Sequence, residues 1–360
     1  MKLNYCRFVI IINAVALLLT APTISLAQNL FVAGLVNNSA NNIKVSEFAP
    51  NGTLLQSFGN ANLENPTAMT FDSQGSLYVV NFDFNTIEKL TTNGVSLATL
   101  SGNNLFEPGQ LAFDSHGNLF VVNYNLTNNT VSKFDATGTP VPFTVTGVTY
   151  PSGLAIDSYD NLFIANQGDN SVSEITPTGL LVTNISLGPN DLAHTPTCLT
   201  FDQHGILYVA EFGNTISSIT DGVVTTNIYT GLNNPAQLAF DNRGNLFVAS
   251  VGAGTIIEYT NNAGILSTNP TVFASGLGQV TSLAFQPAPP TSLGRLSATV
   301  AADALIITLP PGSSGSILET ATNLSAPVTW TPIFTNTSTS PVSVPLLKSP
   351  ASAQFFRLRE

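Results

Sequence analysis

A chain of 360 residues is long enough to bury a full core, and this one carries only 9% charged residues, with 21 acidic against 10 basic and a formal charge of −11. Such a surface repels phosphate backbones, and no run of basic residues relieves it, so nucleic acid is not an expected partner. With charge this scarce the exterior must be made polar by Asn, Ser and Thr, a composition that favours turns and strands over helices and points to an all-β protein.

Lys2 and Arg7, an apolar stretch from Phe8 to Leu19 and the small residues around Ser25-Leu26-Ala27 read as an export signal over residues 1–27, with the mature chain starting at Gln28. The expected location is therefore secreted, extracellular or at the cell surface. The apolar run falls short of the roughly 20 residues a spanning helix needs, and no later run reaches that length, so no transmembrane segment is expected in the mature chain. Cys6 leaves with the signal. Cys198 then stands alone, which excludes an internal disulfide, and its apolar surroundings read as those of a buried small hydrophobe.

From Pro66 onward one passage is written five times, beginning at Pro66, Pro108, Pro151, Pro196 and Pro235. A period of about forty residues marks a chain assembled from supersecondary units. Each copy opens with an apolar strand in which large residues flank a small one, as in Met69-Thr70-Phe71 and Leu111-Ala112-Phe113. Asp then begins a tight turn that closes on Gly, as in Asp72 to Gly75, except that the third copy has Asp160 at the Gly position. A second strand follows, as in Leu77 to Val80, apolar on both faces and so packed on both sides. A polar turn ending in Asn-Thr or a variant leads to a third strand, and a Gly-centred turn leads to a fourth. Four antiparallel strands per unit, repeated radially, make a propeller blade.

The ends of the repeat region complete the count. Residues 29–33 open as a second strand with no first strand before them, and residues 281–285 form a first strand with nothing after it. Joined, they make a composite blade, giving six in all and a ring whose closure is expected to remove open sheet edges. The predicted organisation is a signal peptide over 1–27, a six-bladed β-propeller over 28–287, a Pro-rich linker over 288–294 and a small β-sandwich-like module over 295–360. The pattern of Leu318 to Leu324, Trp330 and Phe355 to Arg359 resembles a C-terminal module of secreted proteins of environmental bacteria. That module reads as a surface or spacing element. The expected state is a monomer.

The repeating Pro, apolar-x-apolar-Asp, x-x-Gly-Asn, apolar-Val-Ala and Asn-turn elements resemble the NHL repeat family, whose architecture is shared with TolB-like and SMP-30/gluconolactonase-like propellers. The resemblance covers residues 28–287. NHL units usually carry Asp just after the second strand, whereas this chain has Gly34, Asn81, Asn123, Asn166, Glu211 and Ser250 there. That departure weakens any transfer of a charged or metal-binding site.

Those positions, with Glu107, Tyr150 and His194 in adjoining loops, fall at one face of the ring. Asn81, Asn123, Asn166, Glu211 and Ser250 are the candidate ligand-binding residues, amides and one carboxylate suited to hydroxyl-rich or amide-bearing ligands. Side chains that merely cap their own turns would have the same residue types. The Asp-x-x-Gly turns lack the further oxygen ligands of a calcium loop and read as structural. His116 and His204 occupy equivalent turns on the face opposite His194, which does not support a histidine metal cluster. No nucleophile elbow, phosphate loop or Cys-pair motif is present. The function expected is a non-catalytic scaffold for a protein, peptide or glycan, with no cofactor. The alternative, which the resemblance implies, is a lactonase or lyase holding calcium or another divalent cation in the channel, with Glu211 its metal-ligating candidate.

Overall fold

The computed structural model describes residues 6–10, 28–35, 43–59, 62–124, 129–229 and 232–287, and beyond them the strands 297–301, 304–309, 317–321, 331–335, 342–347 and 354–359. Two units separate, one spanning Leu26–Ala288 and the other combining Pro289–Glu360 with Met1–Ser25.

The first unit is a six-bladed propeller of four-stranded antiparallel sheets. Blades 1 to 5 start at Pro66, Pro108, Pro151, Pro196 and Pro235. The sixth is the composite: Gln279–Phe285 pairs with Leu30–Leu35, which continues to Ile43–Phe48 and Leu54–Phe58. Closure completes this sheet but leaves the outermost strand of every blade as an edge, which corrects the expectation that edges vanish. Those strands are short, down to Pro140–Val141, and expose Ser, Thr and Asn side chains among their apolar ones, which limits edge pairing.

The second strands explain the order of layers. Leu77–Asn81, Leu119–Asn123, Leu207–Glu211 and Leu246–Ser250 are buried along their whole length, because each lies between two neighbouring blades. The core is accordingly a set of clusters between blades: Tyr78, Val80 and Ile87 of blade 1, for example, pack with Leu111, Leu119 and Val121 of blade 2. At these interfaces an aromatic ring of each second strand meets one from the end of the next inner strand edge-on. Phe31–Phe71, Tyr78–Phe113, Phe163–Phe201, Tyr208–Phe240 and Phe247–Phe285 have centroids 5.1, 5.0, 5.1, 5.1 and 4.9 Å apart. Each such pair contributes about 0.5–1.5 kcal/mol beyond its buried area. Blade 3 has Ile156 at that position, and Phe143 takes the place against Phe120 at 5.1 Å.

The Asp turns close the face away from the candidate site. In each, one carboxylate oxygen accepts two backbone N–H groups, as Asp72 does from Gln74 and Ser76 at 3.0 and 2.8 Å. Asp160, at φ 64°, takes the Gly position of its turn, and its carboxylate accepts from the backbone N–H and hydroxyl of Ser115 in blade 2, both at 2.8 Å. His116 and His204 lie here too, beside Asp160 and Asp202 at 3.2 and 3.5 Å.

In the second unit, Cys6–Ile10, Gln354–Arg359, Ile317–Ala321 and Thr331–Thr335 form one antiparallel sheet, and Ser297–Ala301, Ala304–Leu309 and Val342–Leu347 another. The rest of the predicted signal, the linker over 288–294 and Trp330 lie outside the described residues. Among the described residues no helix is long and apolar enough to cross a membrane.

Candidate functional site

At the loop face, the inner strands of blades 1 to 5 begin with Pro, that of the composite blade begins with Gln279, and the second strands end. A β-bulge interrupts the pairing between them in every blade, as between Pro235 and Gln237 or Pro151 and Gly153. Strict alternation would turn only every second residue toward the axis. The bulge brings consecutive residues there, Gly109 with Gln110 and Ala236 with Gln237. A cavity of about 290 Å³ results, lined at this end also by Phe82, Tyr124, Gln167 and Phe212.

The predicted residues sit one step away from that lining. Asn81, Asn123, Asn166, Glu211 and Ser250 are buried, and they hold the loops together. The side-chain oxygens of Asn81, Asn123, Asn166 and Ser250 accept from the backbone N–H of Glu64, Phe106, Thr149 and Asn233 at 3.2, 3.1, 3.0 and 3.0 Å. Their amide groups donate to hydroxyls of the next strand, as Asn166 does to Ser171 and Ser173 at 3.1 and 2.7 Å. The Asn of the polar turn is a second latch: Asn85, Asn129 and Asn214 accept from the N–H of Glu107, Tyr150 and Asn234 at 2.6, 2.7 and 2.6 Å. Gly34, at the composite blade, fits only without a side chain, since a Cβ would lie 2.6 Å from the Gln279 carbonyl.

Glu211 departs from the Asn pattern. The amide that an Asn would accept from belongs to His194, and Asp191 caps it at 3.2 Å while also holding the His194 ring Nδ1 at 2.7 Å. Glu211 Oε1 is left buried without a well-formed hydrogen bond, and burial pushes its carboxyl above the usual carboxylate value, a rise that the nearby Ser217 hydroxyl and His194 oppose and Asp191 adds to.

The cavity floor is built by two residues that sequence reasoning missed. Gln110 stretches over Gly153, its Oε1 accepting from Leu154 N–H at 2.7 Å and its Nε2 donating to Cys198 Sγ at 3.1 Å. Cys198 is buried, and burial pushes its thiol up to about 12. Gln237 is also buried and lines the cavity, yet among the described residues its amide has no hydrogen-bond partner within the chain. The signal in the sequence was a long polar residue, twice, at a position otherwise occupied by Ala68, Gly153, Cys198 or Ser282.

The walls are aromatic. Tyr124 stacks at a tilt on Tyr150, centroids 4.4 Å apart, and donates its hydroxyl to Gln167 Oε1 at 2.8 Å. Burial and Tyr150 raise the Tyr124 phenol well above its usual value. The hydroxyls of Thr67, Ser152 and Thr197 point sideways, donating to the carbonyls of Pro108, Pro196 and Pro235 of the next blade at 3.1, 3.0 and 2.9 Å. Around the opening Phe84, Phe106 and Phe212 are 51, 48 and 44% exposed. No charged side chain lines the cavity.

Among the described residues no three His, Cys, Asp or Glu side chains gather as metal ligands. The carbonyl oxygens of Asn81, Asn123 and Asn166 are already engaged by backbone amides, so they do not complete a cation site around Glu211.

No described protein family matches the chain by sequence, and no curated protein does. Its fold is that of solved six-bladed propellers. A protein of unknown function from Bacteroides caccae is similar at 16% identity and a TM-score of 0.57, covering 73% of this chain and 100% of that one. The Nidogen/Laminin complex contains a similar chain at 15% identity and a TM-score of 0.57, covering 72% and 98%. Virginiamycin B lyase from Staphylococcus aureus, as a catalytically inactive variant with quinupristin, is similar at 16% identity and a TM-score of 0.51, covering 86% and 97%. At these identities the likeness speaks for the fold alone.

Proposed function

We propose that this chain is an exported, monomeric, NHL-like propeller that acts without catalysis as a binding scaffold, taking part of a protein, peptide or glycan into the loop-face end of its channel. The observation that carries this reading is Gln237, a largely buried side chain in the floor of an aromatic, uncharged cavity, whose amide faces that cavity and has no partner of its own among the described residues. An amide that faces the cavity with no partner in the chain is free to bond a ligand that offers both a donor and an acceptor, and one such bond contributes about 0.5–1.5 kcal/mol. In keeping with this reading, one similar propeller is a chain of the Nidogen/Laminin complex and another was solved with quinupristin.

The test is a thermal-shift screen of peptides and oligosaccharides against the wild type, Gln237→Ala and Phe212→Ala. A ligand that stabilises the wild type is expected to bind either variant about tenfold more weakly. Equal binding to all three removes the cavity from the account.

A second reading, a cation-dependent lactonase or lyase, has the unpartnered Glu211 Oε1 in its favour. Bound calcium or zinc at one equivalent together with lactone turnover, both lost in Glu211→Gln, would establish it in place of the scaffold.

A further inference from the structure

The cavity is uncharged, but its surroundings are not. None of the connections at the loop face, two to a blade, contains a Lys or Arg, whereas Glu64, Asp83, Glu107, Asp169 and Asp191 all lie in them. Among the described residues only Asp191 of these five has an ion-pair partner, His194. Glu107 is close enough to the cavity to add to the rise in the Tyr124 phenol. Of these acids Asp191 accepts the backbone N–H groups of Ala193 and His194, Asp83 accepts from Asn65 and Asp169 from Ser171, whereas the Glu64 and Glu107 carboxylates have no hydrogen-bond partner among the described residues. At the opposite face all five repeat acids, Asp72, Asp114, Asp157, Asp202 and Asp241, give one oxygen to two turn amides, and Lys89 reaches Asp72 at 3.0 Å. The propeller therefore has one mouth where aromatic rings stand with carboxylates that, Asp191 apart, have no cationic partner among the described residues, around the unpartnered amide of Gln237.

Resting on the scaffold reading above, we propose that the ligand is a cationic polypeptide segment, which places an apolar side chain and a peptide group in the cavity and Lys or Arg side chains on either side of it. Each part of the site meets one part of such a segment. The Gln237 amide can donate to and accept from one peptide group. Phe82, Tyr124 and Phe212 enclose the apolar side chain. The flanking cations meet Glu64, Asp83 and Glu107 and lie over the exposed faces of Phe84 and Phe106. An anionic glycan or a phosphate-bearing ligand meets only repulsion at this rim.

The experiment uses three capped synthetic pentapeptides, Gly-Lys-Phe-Lys-Gly and its counterparts with Gln or Glu in place of Lys, titrated by calorimetry at low and raised salt. The proteins are the wild type, Gln237→Ala and the triple variant Glu64→Gln, Asp83→Asn, Glu107→Gln, whose amides keep the shape of the side chains they replace. The Lys peptide is expected to bind tightest and the Glu peptide not at all. The triple variant is expected to weaken the Lys peptide about tenfold, reduce its salt dependence and leave the Gln peptide unchanged. Equal binding of all three peptides, lost in Gln237→Ala, overturns the charge preference and leaves the scaffold reading standing. Lys-peptide binding that survives in both variants is attraction to an acidic protein at large and overturns the proposal, while no binding of any peptide overturns it together with a peptide-binding scaffold.

Discussion

Glu211 is the one carboxylate in a ring position otherwise filled by amides, a hydroxyl or Gly, and its burial has a sign that can be worked out. Its folded pKa is raised above the unfolded value, so whatever it contributes to stability is fully present below the unfolded pKa and is lost as pH rises through the folded one. Glu211→Gln removes the ionisation while keeping the shape. It is expected to raise the melting temperature at neutral pH and to leave it unchanged near pH 4, read by calorimetry at both values. A change of the same size at both values would show that its charge plays no part. At this scale the sequence told the residue types of the candidate positions but not where they point. Asn81, Asn123 and Asn166 end strands that are buried on both faces, so no alternation of polar and apolar residues reveals which face meets the channel. Gln110 and Gln237 were hidden by the bulge beside each Pro, which turns consecutive residues inward against the ordinary two-residue period.

At the scale of elements, the repeat explains itself as a set of latches, and the departures from it are informative. The Gly turn of blade 3 holds Asp160 in a left-handed conformation that an aspartate adopts at some energetic cost, and the return is a pair of bonds to Ser115 across a blade boundary. Those bonds hold the Asp160 carboxyl below its usual value. A depressed pKa gives stability that is present above the unfolded value and lost as pH falls through the folded one. Asp160→Gly is therefore expected to lower the melting temperature at pH 7, with the difference from wild type closing as pH drops below the ordinary aspartate value of about 3.9. If Asp160→Gly raised the melting temperature at pH 7, relief of the backbone would outweigh the inter-blade bonds. The turns, the four-strand units and the recurrent Asn were legible because each is local: Asp and Gly at fixed offsets, and an Asn that takes positive φ at Asn85 and Asn214. The partners of that Asn, twenty or more residues away in the chain, were not legible, because nothing local fixes how far a blade's return loop folds back.

At the scale of the whole propeller, the ring is closed because the strand Gln279–Phe285 completes a sheet begun by Leu30–Leu35, and that closure was readable from the incomplete repeats at its two ends. The asymmetry between its faces was not, since it depends on which acids are engaged by turn amides and which are left around an aromatic mouth. The central claim is that binding happens at that mouth. In a protein beginning at Gln28, which lacks Cys6, Phe212, at the loop face, and Tyr159, 82% exposed in a turn of the opposite face, each serve as a site for a single introduced cysteine, because the native Cys198 is buried with its thiol pushed up to about 12 and stays unreactive. Phe212→Cys and Tyr159→Cys, each labelled with a bulky maleimide, are titrated with the Gly-Lys-Phe-Lys-Gly peptide. The account predicts that the label at position 212 abolishes binding and the label at position 159 leaves it intact; binding that survives the first label or is lost with the second would contradict it.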